Sequence, residues 1–169
     1  MTTIRVSSTA GRLIFGGLDI PCAIGRSGSC PASAKQEGDG CTPLGRWPVR
    51  GALLRPGRVA LNQPLAIPWR WTRTHDGWSD GVQDPAYNRP VRLPRGWSAE
   101  SLQRDDEAYD IIIVLGHNDD PPVPGAGSAI FFHIWVDGRP TEGCVAIAPQ
   151  EIQRILPMLL PETVLEISK

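Results

Sequence analysis

Gly127–Ala148 reads GSAIFFHIWVDGRPTEGCVAIA, and its reading decides the fold. Two runs rich in β-branched and aromatic residues, Ala129–His133 and Val145–Ile147, flank a polar segment containing Gly and Pro. That is the pattern of two strands joined by a loop, here read as central strands of a sheet. The same stretch carries chemistry. A thiol becomes the thiolate that attacks a carbonyl carbon only beside a base or a positive charge. A strand ending in His133, a polar loop, and a Gly-Cys pair re-entering a second strand place Cys144 near such a base. Gly143 has no side chain, which lets substrate approach and backbone N–H groups converge on a developing oxyanion. On the residues alone, a buried core cysteine beside a strand-end histidine is the competing reading.

Outward from this stretch the chain is dominated by short apolar runs between turn signals. Ile111–Leu115 reads as a buried central strand. Ile4–Val6 and Arg12–Phe15 read as edge strands, with Gly16-Gly17 as a hairpin turn. Ile20–Gly25 is another apolar run, followed by a long polar loop to Gly45, a length usually reserved for functional or mobile segments. Trp47–Val49 and Ala52–Leu54 read as two strands. Trp69, Trp71, Trp78 and Trp97 fall among Pro64, Pro68, Pro85, Pro90 and Pro94, irregular structure packed by aromatics that builds either core or a cleft wall. Ser98 followed by Glu100–Ala108 predicts a short helix with Ser98 as N-cap. Pro149 opens a second helix with Ile152, Ile155 and Leu156 on its apolar face. Thr163–Ile167 closes as a strand. No repeat appears. The expectation is a mainly β chain, a single domain over residues 1–169, with a few short helices.

Composition narrows the function. The 169 residues suffice for a proper core. A net charge of −1 offers no electrostatic case for nucleic acid or an anionic membrane surface. The 18 glycines and 17 prolines, with 41% hydrophobic residues and no collagen-like period, describe strands and turns. No stretch approaches the roughly 20 apolar residues that span a bilayer. The opening apolar run is broken by Gly16, Gly17 and Asp19, and lacks the continuous segment of a secretory signal. Cys22, Cys30 and Cys41 match no usual zinc spacing; they read as small core residues or free thiols, and an oxidising compartment permits one disulfide among them. His75 lies in an expected exposed turn, and His117 reads as a loop histidine held by Asp119 or solvated.

The Thr141-Glu-Gly-Cys-Val145 element, downstream of His133, resembles the signature of L,D-transpeptidase (YkuD-type) catalytic domains. So do Lys35-Gln-Glu-Gly-Asp-Gly40 with Thr42-Pro-Leu-Gly45, Asp76-Gly-Trp78, Tyr87-Asn-Arg-Pro90, and Asn118-Asp-Asp-Pro121 leading into Pro124-Gly-Ala-Gly-Ser128. Together they look like a divergent proteobacterial branch of that family. Three departures stand out: Glu142 replaces the family's usual His before Gly-Cys, the His-to-Cys interval is short, and Ala146 replaces a polar or basic residue.

The resemblance implies a β-sandwich without cofactor or metal, placed in the cell envelope. It implies Cys144 as nucleophile, His133 as base oriented by the Ile134 carbonyl, and Gly143 with Cys144 as oxyanion donors. Arg139, Thr141, Glu142, Asn118 and Ser128 become substrate-binding candidates; Arg139 suits a carboxylate, and Glu142 an amine. Lys35, Glu37 and Asp39 are placed on the active-site side. The implied substrates are peptidoglycan stem peptides as donor and acceptor, joined through a thioester into a 3-3 or 1-3 cross-link, with carbapenems as acylating inhibitors. Three alternatives stay open: an L,D-carboxypeptidase or endopeptidase using water, a non-catalytic wall-binding module on the tryptophans, and a zinc hydrolase built from His75, His117 and His133.

Overall fold

Residues 2–169 are described by the computed structural model, in which alternation of side chains explains the first elements. Strand β1 (Thr3–Ser7) buries Ile4 and Val6 and turns Arg5 outward. Strand β2 (Arg12–Phe15) buries Leu13 and Phe15. Gly16 and Gly17, at φ of 56° and 83°, turn the chain into β3 (Leu18–Pro21), the backbone that a two-residue hairpin demands. The long polar segment that follows holds β4 (Ser29–Pro31) and a 3₁₀ turn at Ala32–Ala34. It feeds β5 (Thr42–Leu54), a single strand where two had been expected. The reason is a change of partner along its length. β13 (Val164–Ser168) pairs with Gly45–Pro48, and β10 (Ile111–Leu115) with Val49 and Gly51–Leu54.

Between β5 and β10 lie β6 (Trp69–Trp71), β7 (Asp76–Ser79), β8 (Pro90–Arg92) and β9 (Ala99–Ser101). After β10 come β11 (Phe131–Ile134), β12 (Val145–Ile147) and the helix α1 (Pro149–Ile155). The main sheet runs β12-β11-β10-β5-β13-β1-β2-β3, with β4 and β6 also paired to β5. A twisted sheet this wide curls into layers. Its two ends share one core, where Ile4, Val6, Leu13 and Phe15 meet Ile111, Ile113, Phe132, Ile134 and Val145. The result is the mainly β sandwich expected. α1 starts at Pro149 as read, and adds Ile152 and Ile155 to that core.

Two expectations are corrected. β12 is the end strand of the order, not a central one; its outer side is met by a single bridge, Ala23 to Ala146. The helix over Glu100–Ala108 is absent. Ala99–Ser101 instead pairs with β7, and Ser101 Oγ accepts from the Gln103 N–H to start a turn. Sheet pairing outweighs helix propensity here because only Leu102, Ala108 and Tyr109 in this segment are buried, a pattern without an amphipathic helical stripe.

The small sheet β8-β7-β9 lies over the far face of β10 and β11. Trp78, Leu102 and Tyr109 pack there on Leu53, Ile112, Phe131 and Cys144. β10 is thus buried on both faces, which is why Ile111–Leu115 reads as an unbroken apolar run.

Candidate active site

β11 and β12 are parallel, with Phe132 opposite Val145 and His133 opposite Ala146. Side chains alternate along strands, so Phe132 and Val145 enter the main core while Phe131, His133 and the residue preceding β12, Cys144, share the other face. His133 and Cys144 open on one cavity of about 310 Å³, lined also by Glu100, Arg104, Tyr109 and Arg139. The Cys144 Sγ is anchored on both sides: it receives the Phe131 N–H at 3.3 Å and donates to the Ala129 carbonyl at 3.2 Å. The His133 Nδ1 lies 2.7 Å from the Ile134 carbonyl oxygen. That contact fixes the tautomer with Nδ1–H donating and leaves Nε2 as the acceptor. The Tyr109 ring stands edge-on to the imidazole at 5.2 Å.

Burial dominates the electrostatics. It pushes the Cys144 thiol up to about 12, against a partial offset from the Phe131 N–H. It pulls His133 down to about 4, against the Ile134 carbonyl, which favours the imidazolium. At neutral pH the pair rests as thiol and neutral imidazole, with no preformed ion pair.

The loop before Cys144 is tied by its own side chains. Thr141 Oγ1 accepts the Gly143 N–H at 3.1 Å and donates to the Cys144 carbonyl at 2.6 Å. The Gly143 N–H is therefore engaged by Thr141, and the Thr141 hydroxyl closes the loop. Glu142 pairs with Arg26 at 2.8 Å on the surface. Arg139 is exposed and pairs with Asp137 across the loop.

Asn118 closes the 118–127 loop: its Nδ2 donates to the Val123 and Gly127 carbonyls and its Oδ1 accepts from the Val123 N–H. Ser128 is buried, with a hydroxyl that meets no partner, and lines a second cavity beside Cys144. Lys35 lines that cavity too, its ammonium held by Asp39 and the Gln36 carbonyl.

The three histidines are not brought together. His75 is exposed in its turn, as expected. His117 is buried against the Trp47 ring, 4.8 Å away, while Asp119 pairs with Arg50. Burial and the nearby Lys35 lower His117 to about 4. The reading of His117 as solvated or held by Asp119 is thus overturned, and a histidine zinc cluster is not assembled. Among the described residues, the donor group close enough for a metal is Cys30, Asp39 and Cys41, and Cys30 and Cys41 are joined as a disulfide. Cys22 is a free buried thiol.

Sequence reasoning missed Glu100, Arg104 and Tyr109: the first two fall in the segment read as a short helix, and Tyr109 was read as the lead into the Ile111–Leu115 strand. It also missed Asn88, buried within the Tyr87-Asn-Arg-Pro90 block. Its Oδ1 receives the Trp78 indole N–H and the Ala129 N–H, and its Nδ2 donates to the His117 and Asn118 carbonyls. A polar residue flanked by such a block was the available signal.

Comparison with known proteins bears on this geometry. The family model for the L,D-transpeptidase catalytic domain (YkuD) matches residues 2–167. A crystal structure of Mycobacterium tuberculosis L,D-transpeptidase 1 is similar at 12% identity and a TM-score of 0.39, over 99% of this chain and 61% of that one. No curated protein matches the sequence.

Proposed function

Because the chain belongs to the L,D-transpeptidase catalytic-domain family, we propose that it is a thiol acyltransferase acting on peptidoglycan stem peptides, its catalytic unit spanning residues 1–169. The observation that carries this reading is the shared face of β11 and β12, where Cys144 and an Ile134-oriented His133 open on one cavity. Family membership supports the substrate class. The residues support the roles.

The donor is a tetrapeptide stem whose diaminopimelate carries the terminal D-Ala. Cys144 attacks that carbonyl while the Nε2 of His133 takes the thiol proton, and the same nitrogen returns it to the departing D-Ala amine. Starting from a neutral pair avoids holding a buried thiolate before substrate arrives. The Cys144 N–H, with the Gly143 N–H once Thr141 releases it, stabilises the oxyanion. Arg139 at the cavity mouth meets a substrate carboxylate by exchanging its surface Asp137 partner. A stem amine then resolves the thioester, giving a 3-3 or 1-3 link in the cell envelope. Carbapenems acylate the same sulfur.

Mass spectrometry of disaccharide-tetrapeptide incubated with the protein tests this. Cross-linked dimer and free D-Ala are expected from the wild type. Cys144→Ala and His133→Ala abolish both, with unchanged circular dichroism. Turnover surviving in either variant overturns the assigned role. Shortened stems without dimer identify the carboxypeptidase instead.

A further inference from the structure

Cys144 also opens on a second cavity, of about 260 Å³, lined by Lys35, Glu37, Asp80, Glu100, Ser128 and Glu142 among others. Four carboxylates thus face one ammonium. That ammonium is already neutralised, since Lys35 is held by Asp39 and the Gln36 carbonyl. Glu142 has Arg26, and Glu37 accepts the Tyr87 hydroxyl. The remaining acceptors have less. Asp80 Oδ1 is buried without a partner. Ser128, only 8% exposed, has a buried hydroxyl that likewise meets nothing. Buried polar atoms are normally satisfied, and acceptors left over in an acidic cavity fit a ligand that brings several N–H donors and a positive charge.

Glu100 sits where the two cavities meet, since it and Cys144 line both. β9 delivers it by pairing with β7, opposite Trp78. The Tyr109 hydroxyl lies 3.2 Å and 3.1 Å from its two oxygens.

We propose that this second cavity receives the acyl acceptor as a primary ammonium and that Glu100 takes its first proton, making the free amine that attacks the Cys144 thioester. The proposal rests on the acyl-transfer reading above and deepens it. The step balances as follows. R–NH3⁺ gives one proton to the Glu100 carboxylate. The amine nitrogen bonds to the thioester carbon as the C–S bond breaks. The second N–H proton passes through His133 to the departing sulfur, restoring the thiol and neutral imidazole. Glu100 returns its proton to solvent.

Burial brings Glu100 up to about 7, with Asp80 and Glu37 adding to the rise and the Tyr109 hydroxyl and Arg104 opposing it. A carboxyl in that range exchanges protons with an amine near neutral pH far better than an ordinary carboxylate. The charged and titratable groups around it are Asp80, Glu37 and Lys35 in the second cavity, Arg104, Arg139, Asp106 and His133 in the first, and Glu142, Tyr109 and Cys144 in both.

The experiment measures three products from disaccharide-tetrapeptide: free D-Ala, cross-linked dimer, and tripeptide from hydrolysis of the thioester. Glu100→Gln is expected to lower the dimer-to-tripeptide ratio at least tenfold, with D-Ala release reduced much less. Asp80→Asn is expected to lower the ratio in the same direction, and the limb near pH 7 in the wild-type profile of the ratio disappears in Glu100→Gln. The ratio is internal to each sample, so partial misfolding does not move it. An unchanged ratio in Glu100→Gln, with D-Ala and dimer formed by the wild type, overturns this proposal and leaves the transpeptidase reading standing. No D-Ala from the wild type overturns both.

Discussion

Gly143 holds its backbone at φ of 140°, and an added Cβ would sit 3.0 Å from the Cys41 carbonyl oxygen and 3.4 Å from Ile130. A side chain there meets both conformational strain and contact with a backbone that has little freedom to retreat. Gly143→Ala is expected to cost about 1–3 kcal/mol, read as a lower urea midpoint. Transfer should fall further than stability alone accounts for, because the Cys144 N–H moves with the turn. Thr141 reaches the same turn from its other side, closing Gly143 and Cys144 with one hydroxyl. These constraints explain why the Thr-Glu-Gly-Cys element is legible in sequence. Each residue answers a local requirement within a few positions.

The small sheet β8-β7-β9 brings Glu100 to the site, and its docking depends on few groups. Trp78 stands edge-on to Phe131 at 5.1 Å. Asn88 joins the sheet to the Ala129 N–H and to the His117 and Asn118 carbonyls. Removing that buried amide leaves several polar partners unmet, so Asn88→Ala is expected to destabilise by about 2–3 kcal/mol. Denaturant unfolding measures the loss. Hydrogen exchange should show it concentrated in β7, β9 and the Ala129 amide, while β1, β2 and β13 keep their protection. Uniform loss across both sheets would contradict this division.

For the whole molecule, two buried neutral histidines shape stability against pH. His117 and His133 both bind protons more weakly folded, at about 4, than unfolded, at about 6.5. Between those values the unfolded chain holds more protons, so stability falls as pH drops through that window. Glu100 acts with opposite sign. Its folded value of about 7 lies above the unfolded one, so its contribution declines as pH rises through the same range, and Asp110, also raised by burial, adds in that sense. Two histidines with large shifts, against Glu100 and the smaller rise at Asp110, leave a net fall on acidification. His117→Gln should flatten the melting temperature between pH 4.5 and 6.5, after any uniform offset. A slope as steep as wild type in that variant would remove His117 from the account.

Much of the architecture follows from short-range pattern. Ile4 and Val6 alternate with Arg5, Gly16-Gly17 sets a hairpin, Pro149 starts a helix, and the apolar run Ile111–Leu115 announces a strand buried on both faces. Cys144 and His133 stood out as candidates, since each ends or opens an apolar run beside turn residues, but a buried core cysteine beside a strand-end histidine fits the same pattern. What the sequence could not decide were matters of pairing across long separations. Glu100 and Ala108 bracket a plausible helix until β9 finds β7, and His117 looks like a solvated loop residue until Trp47 covers it. Cys41 has two candidate partners until the fold brings Cys30 to it. Local propensity is worth tenths of a kcal/mol per residue, whereas burial and buried hydrogen bonds are worth one or more. Where the two disagree, the tertiary structure decides.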